Sequence, residues 1–569
     1  MHELVIRGGL VIDGTGAPRR EADVAIDRGR ITEVAAKLGR GDREIDARGC
    51  LVTPGWVDIH THYDGQATWD SILAPSSWHG VTTVVMGNCG VGFAPVRPGA
   101  QGFLIELMEG VEDIPGTALA EGIDWQWESF PEYLDALERK PRAIDVAAQV
   151  PHAAVRAYVM GERCNTHDDV PTATELERMQ YLVREGIAAG AVGFSSSRTL
   201  LHKDIHGVHV PGTFAGSDEM LALGLAMKGL SHGVFELVSD HLGTDDEWAW
   251  VKQFCRETGR PVTLVATSAA AYEGNKMYRI AEEARRDGYE VRPQVAGRPT
   301  GVLHGLTSNF HVFVRHPTFQ SNVAPHALAE QLVRLRTPEI RARILGEQSR
   351  IAQTLTGRPL DQLLWQVFPL GDRPNYEPDR EQSVAGIAAT EGRPAFEVMY
   401  DLLLGHDGRE LFYQPLGGYQ SYDFSFFRNA MQHPNILFGL SDGGAHCGVI
   451  ADAGMPTFIL THWGRDRTKG EGLPLEYLVQ KLSRDTALAY GMNDRGVLGA
   501  GCVADANVID FEALRLFRPE ATYDLPLGGK RLVQRVEGYR CVVKSGEPVF
   551  ENGEHTGALP GRLVRGGRI

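Results

Sequence analysis

The chain has 569 residues, 43% of them hydrophobic, with 57 Lys+Arg against 73 Asp+Glu and a formal net charge of -16. That acidic balance argues against a nucleic-acid partner or an anionic membrane surface, and no run of about 20 apolar residues reads as a membrane span. Seven well-separated cysteines form no disulfide framework, and the N-terminus lacks the charged and apolar blocks of a signal peptide, so a reducing cytoplasm is expected.

The first 50 residues read as short strands and tight turns. ELVIRGGLVIDGTG, ADVAIDRGRITEV and DREIDARGCLVTPG place Val and Ile runs between Gly- and Asp-containing turns, which is hairpin material. Such a piece buries little by itself and needs a partner sheet. The segment GWVDIHTH follows, a short strand ending in Asp58, His60 and His62. Residues at i and i+2 on a strand face the same way, so both imidazoles can point at one metal ion. They serve equally well as hydrogen-bonded histidines. VTTVVMGNC is the next strand. It ends on Cys89 between glycines, where a thiolate could approach a metal or a thiol could lie buried and inert.

Alternation continues through DVAAQVPH, after which Thr172-Ala173-Thr174-Glu175 forms a capping box. Leu176, Met179, Leu182, Val183 and Ile187 then recur at helical spacing. AVGFSSS, GVFELVSDH, RPVTLVATS, YEVRPQVAG and NILFGLSDGG are further strands separated by helical stretches. About eight βα units favour a closed barrel over an open doubly wound sheet. Residues 301–410 break the rhythm and read as an insertion over the barrel mouth that shapes substrate choice. Asp442 follows the last apolar strand, where a carboxylate can ligate a metal, transfer a proton or merely close an Asx turn. GVLGAGCVADANVIDF and LVQRVEGYRCVVKSGEPVF return to β-rich pattern. Residues 1–54 and 496–569 are therefore expected to form one β-sandwich, with residues 55–495 as the barrel.

Taken together, LVIRGGLVIDGTG, PGWVDIHTHYDGQATWD, GVTTVVMGNCGVGFAPVRP, AGAVGFSSSRTLLH, GLSDGGAH and LGAGCVADANVIDF resemble the amidohydrolase superfamily, in its D-aminoacylase branch of N-acyl-D-amino-acid deacylases. The resemblance runs over nearly the whole chain. It implies a distorted (β/α)8 TIM-like barrel plus a small β-sandwich built from both chain ends. It also implies hydrolysis of a C–N amide bond, with His60 and His62 as first-strand metal ligands, Cys89 as a metal-binding cysteine and Asp442 as proton shuttle. Two features depart from the family. Val238 and Ala266 stand where it has fifth- and sixth-strand histidines, and the lysine that follows the second of these is gone.

Zinc is the expected ion, one per chain, with a second ion, manganese or iron as alternatives. Glu236 shares strand parity with Val238 and is a candidate replacement ligand or substrate contact. Ser195, Ser197, Arg198, Arg298 and His446 are candidate substrate contacts. Tyr63, Trp69, Trp78, Phe93, Trp125 and Trp127 suit either an apolar acyl pocket or ordinary barrel packing, the latter being the default. The expected partner is a small amide substrate, with self-association left open. Hydrolysis of cyclic amides or carbamoyl compounds, and a metal- or ligand-binding relative without turnover, are the competing readings.

Overall fold

The structure is a computed structural model that describes residues 1–242, 244–265, 276–347 and 360–567. Eight parallel strands form the central sheet: Trp56–Asp58 (β1), Val81–Met86 (β2), Asp145–Pro151 (β3), Gly193–Arg198 (β4), Val234–Ser239 (β5), Val262–Val265 (β6), Val291–Val295 (β7) and Leu437–Phe438 (β8). They lie in sequence order from β1 to β8 and are separated by helices, as parallel neighbours require. β1 and β8 are the two ends of that order, and the chain beyond them meets. Thr61 bridges Gly443, His62 N–H donates to Gly443 C=O at 2.8 Å, and Asp442 N–H donates to His60 C=O at 3.2 Å. The sheet thus curls into a distorted (β/α)8 barrel rather than staying open. Its closure is made by the two segments that carry His60, His62 and Asp442.

The capping box predicted at Thr172–Glu175 starts the helix Ala173–Ala189, with both reciprocal bonds formed and Met179, Leu182, Val183 and Ile187 buried. Strands from both chain ends build a second sheet of nine strands. Leu51–Pro54 pairs antiparallel with Ala506–Ile509 and joins the N-terminal strands to the C-terminal ones. Alternate residues such as Leu4 and Ile6, Val24 and Ile26 fill the core of this sheet together with Val52, Val508 and Val543.

A buried charge cluster ties this sheet to the barrel. Lys544 Nζ lies 2.7 Å from Asp145 and 2.8 Å from Asp505, and Arg495 Nη1 lies 2.6 Å from Asp145. Burial pushes the Asp145 carboxyl up, but Lys544 and Arg495 outweigh it and hold the group below the usual carboxylate range. Removing one partner of such a cluster leaves an uncompensated buried charge. Lys544→Met is therefore expected to destabilise the fold by about 3–5 kcal/mol, read as a lowered midpoint in urea denaturation.

The segment between β7 and β8 folds around its own core of Val312, Phe313, Phe319, Ile344, Val398 and Tyr400. A small antiparallel sheet, Gly301–His304 with Phe412–Pro415 and Phe368–Pro369, forms its base. Among the described residues, no helix is long and apolar enough to cross a membrane.

Candidate metal centre

At the carboxyl ends of β1, β2 and β8, the buried His60, His62 and Cys89 converge with the half-buried Asp442. His60 Nε2 lies 3.3 Å from Cys89 Sγ and 3.5 Å from Asp442 Oδ1, and His62 Nε2 lies 3.9 Å from the same Asp442 oxygen. Among the described residues, His60, His62 and Cys89 are the one group of three whose ligand atoms all lie within 4.8 Å of one another. Donors about 2.0–2.3 Å from a tetrahedral ion stand roughly 3.3–3.8 Å apart, so His60 lies at ligand spacing from both Cys89 and Asp442.

Local backbone and neighbours set these side chains. Cys89 and Asp442 both occupy the left-handed region, at φ 56° and 50°. Asp tolerates that region better than most residues, whereas Cys89 is held there by its surroundings. Its N–H donates to Glu236 Oε2 at 2.9 Å, and the following Gly90 N–H donates to Ser195 Oγ at 3.1 Å. A Cβ on Gly90 would meet the Ser196 Cα at 2.9 Å, so the turn needs glycine there. His60 Nδ1 faces Gln294 Oε1 at 3.1 Å, which makes Nδ1 the donor and leaves Nε2 free to ligate.

Glu112 completes the cluster, and the sequence reading missed it. It ends the helix Gln101–Glu112, one step along the buried stripe of Leu104 and Met108. A carboxylate on an apolar i, i+4 stripe was the available signal. Its Oε1 lies 3.3 Å from His62 Nδ1 without hydrogen-bond alignment, and its Oε2 lies 3.6 Å from His446 Nε2. The next residue, Asp113, accepts from Gly448 N–H at 2.8 Å and from Asn309 Nδ2 at 3.2 Å. The insertion thus braces the helix end that delivers Glu112.

These residues open into a cavity of about 180 Å³. Leu201, Val238, Val265, Ala296, Leu416, Phe427 and Leu440 give it an apolar wall, and His202, Arg298 and His446 add polar groups. Pro299, Thr300, Leu416 and Gly417 come from the two stems of the insertion; its body, 301–410, supplies no lining residue among those described.

Val238 lies at the wall as the strand alignment expects, while Ala266 falls outside the described residues. Glu236, one layer deeper on β5 and in register with Ser195, supports the Cys89 turn rather than the cavity wall. Ser197 Oγ holds His202 Nδ1 at 2.9 Å, Arg198 points to the other face and pairs with Glu247, and His446 reaches the cavity. Arg298 is, among the described lining residues, the one permanent cation. Its Nη2 lies 2.8 Å from Asp452, its guanidinium stacks 3.9 Å over Tyr376, and its buried Nε has no hydrogen-bond partner. Tyr63, Phe93 and Trp127 pack in the barrel core, and none of the six aromatic residues considered for an acyl pocket lines the cavity.

Electrostatically the cluster is built for a cation. Burial pushes the Asp442 and Glu236 carboxyls up to about 8, with Asp452 and Asp58 adding to the first and Asp442 to the second. Burial, then Asp442, Asp64 and Glu236, pushes Glu112 well above its ordinary value. Burial also lowers His60 to about 3 and His446 to about 4 and raises the Cys89 thiol well above its ordinary range. Neutral imidazoles beside acids that resist ionising, with Glu236 Oε1, Glu112 Oε2 and His62 Nδ1 buried and unpartnered, fit a divalent ion.

A pH dependence follows for the metal-free protein. Carboxyls with a folded pKa above the unfolded one stabilise the fold fully at low pH, and that contribution is lost as pH rises toward about 8. His60 works in the opposite sense, stabilising above its unfolded pKa of about 6.5 and losing that contribution as pH falls. Above the unfolded histidine pKa the carboxyls dominate, so the melting temperature of metal-free protein is expected to fall between about pH 7 and about pH 8.5. Added divalent metal should restore it most at the upper end, which a thermal-shift series with and without metal reads directly.

A family model described as the amidohydrolase family matches residues 43–550. The D-aminoacylase of Alcaligenes xylosoxydans xylosoxydans is 26% identical over 573 residues, covering 99% of this chain and 97% of its own. The N-acyl-D-aspartate deacylase of the same organism is 25% identical over 583 residues, covering 99% and 95%. In three dimensions, an N-acyl-D-glutamate deacylase from Bordetella bronchiseptica, solved with zinc and a phosphonate inhibitor, matches with a TM-score of 0.63 at 24% identity, covering 99% of each chain.

Proposed function

The chain belongs to the amidohydrolase family, and from that membership we propose that it is a metal-dependent hydrolase of C–N amide bonds whose first substrate class is the N-acyl-D-amino acids. The observation that carries the reading is the convergence of His60, His62, Cys89 and Asp442 on one cavity at the carboxyl ends of the barrel strands, where barrel enzymes do their chemistry. The relatives that span the whole chain supply the substrate class.

A divalent ion held by His60, His62, Cys89 and Asp442, zinc by the donor set, would supply water activation and carbonyl polarisation. The remaining work falls to the chain. Gln294 fixes the His60 tautomer, and Glu112 faces the Nδ1 of His62 so that its Nε2 turns toward Asp442. Asp442 is fixed by its N–H bond to His60 C=O, and its carboxylate stands beside the metal histidines, where it can take a proton and deliver it to the departing nitrogen. The apolar wall limits bulk water around that transfer. Arg298 is the group assigned to a substrate carboxylate, since its planar fork is held rigid by Asp452 and Tyr376 with one N–H still unpartnered. We place His446 beside the substrate as a neutral hydrogen-bonding group. Ser195 and Ser197 act through the Cys89 turn and His202, and Arg198 through Glu247.

A panel of N-acyl-D-amino acids, their L-enantiomers, the corresponding primary amides and cyclic amides tests the proposal. N-acyl-D-amino acids are expected to exceed their primary amides in kcat/KM by about ten- to a hundredfold, the value of a charge-assisted hydrogen bond set that the neutral amide lacks. Equal rates on acid and amide would remove Arg298 from this role. No turnover of any member by metal-loaded protein would favour a binding relative.

A further inference from the structure

The cavity of about 180 Å³ is smaller than the roughly 300–1,000 Å³ that encloses a typical small-molecule ligand. A substrate with any length must therefore extend beyond it. The six aromatic residues that the sequence offered for an acyl pocket line no part of the cavity, so they do not provide the route.

The segment after β4 does. Leu200, Leu201, Ile205, Val208 and Phe214 are 56%, 60%, 47%, 42% and 36% exposed. Of the fourteen large apolar residues exposed in the described structure, these five lie within fifteen positions, which is a concentration rather than scatter. Ile205 and Val208 sit on a tight hairpin of residues 202–210, with Leu200 and Leu201 just before it and Phe214 just after it. Val210 N–H donates to His202 C=O at 3.3 Å, Asp204 N–H donates to Val208 C=O at 2.8 Å, and Asp204 Oδ1 accepts from the N–H groups of His206 and Val208. The hairpin is also docked. Asp204 approaches Gly110 so closely that a Cβ there would meet its carbonyl carbon at 2.3 Å, and His206 Nε2 lies 3.4 Å from Glu106. Its apolar side chains are therefore held in water by a built scaffold, against the very helix that ends at Glu112. Leu201 is both exposed and part of the cavity wall, so this exposed segment begins at the cavity.

The geometry points to a ledge for the acyl chain of the substrate, running from Leu201 outward over Leu200, Ile205, Val208 and Phe214. On the amide-hydrolase reading, from which this inference proceeds, the substrate class is N-acyl compounds with an extended aliphatic acyl group. The ledge stays half in water, so each methylene laid on it gains only part of the transfer free energy of full burial.

The test is kcat/KM of the metal-loaded enzyme on D-leucine carrying acetyl, butyryl, hexanoyl, octanoyl or decanoyl groups. A rise of roughly twofold or more per methylene is expected, with the slope flattened in an Ile205→Asn/Val208→Asn double variant. A flat or falling series with the acetyl member still hydrolysed overturns the ledge and leaves the hydrolase reading standing. Calorimetric binding of the decanoyl and acetyl compounds to metal-loaded Asp442→Asn protein reads the same slope without turnover, so an equal affinity for both overturns the ledge even if no substrate is cleaved. Size-exclusion chromatography of the double variant closes the remaining route. A change of oligomeric state with an unchanged chain-length slope would show that a second copy of this chain covers the surface, and would overturn the assignment.

Discussion

Metal-loaded Asp442→Asn protein is expected to lose roughly 10²–10⁴-fold in kcat on a confirmed amide substrate, the range a positioned general acid–base supplies. The substitution is nearly isosteric, and Asn, like Asp, tolerates the left-handed backbone at φ 50°. The turn and its N–H bond to His60 C=O should therefore survive. What changes is chemical: an amide accepts no proton at pH 7 and returns none to a leaving nitrogen. A lost metal would mimic this effect, because Asp442 Oδ1 lies beside both His60 and His62. Metal content and circular dichroism must be measured on the same sample. Loss of rate with the ion retained supports proton transfer by Asp442, whereas full activity with the ion in place would sink that role.

The second large effect concerns the ion itself. Stripping the protein with a chelator is expected to abolish turnover, and His60→Ala should weaken metal binding by more than the roughly 10–100-fold that loss of a mere orienting partner costs. We expect one ion per chain. Val238 presents no donor at the cavity wall, and Glu236, the acid nearest in strand parity, spends one oxygen on the Cys89 N–H. Glu236→Gln should therefore keep its ion, because a glutamine can still accept that N–H. Elemental analysis of protein purified without added metal decides the point. Two ions per chain, one of them lost in Glu236→Gln, would instead establish a rebuilt binuclear centre in which the Glu236 Oε1, buried and unpartnered, is a ligand.

Several elements of the site are local properties of the chain and were readable as such. The i, i+2 spacing of His60 and His62, on either side of the bridge residue Thr61 just past β1, puts both on one side of the extended chain because side chains alternate there. The same periodicity placed Glu236 inside the barrel with Val238, and both are buried there. The capping box at Thr172 needed only its own four residues, and the hairpin-rich ends announced a β domain through turn chemistry.

Other elements depend on where distant segments pack. Glu112 carries a weak local sign, a carboxylate on the stripe of Leu104 and Met108, yet its meaning arises only when the helix end meets His62 and His446. Ser195 and Ser197 do face inward, but whether a serine meets substrate or a turn is decided by what lies opposite, here Gly90 and His202. The aromatic residues near the N-terminus have a composition suited to an acyl pocket, and their packing in the core excludes them. Residues 200–214 look like an ordinary connection in sequence and become a surface next to the cavity only through the docking of Asp204 on Gly110. By itself, then, the sequence determined the alternating elements, the strand ends bearing His60, His62, Cys89 and Asp442, and the absence of an imidazole at Val238. The tertiary structure alone decided the meeting of β1 with β8, the arrival of Glu112 and the extent of the cavity. Side-chain direction follows from backbone periodicity within a few residues, whereas the distance between groups hundreds of residues apart is set by how the whole barrel closes.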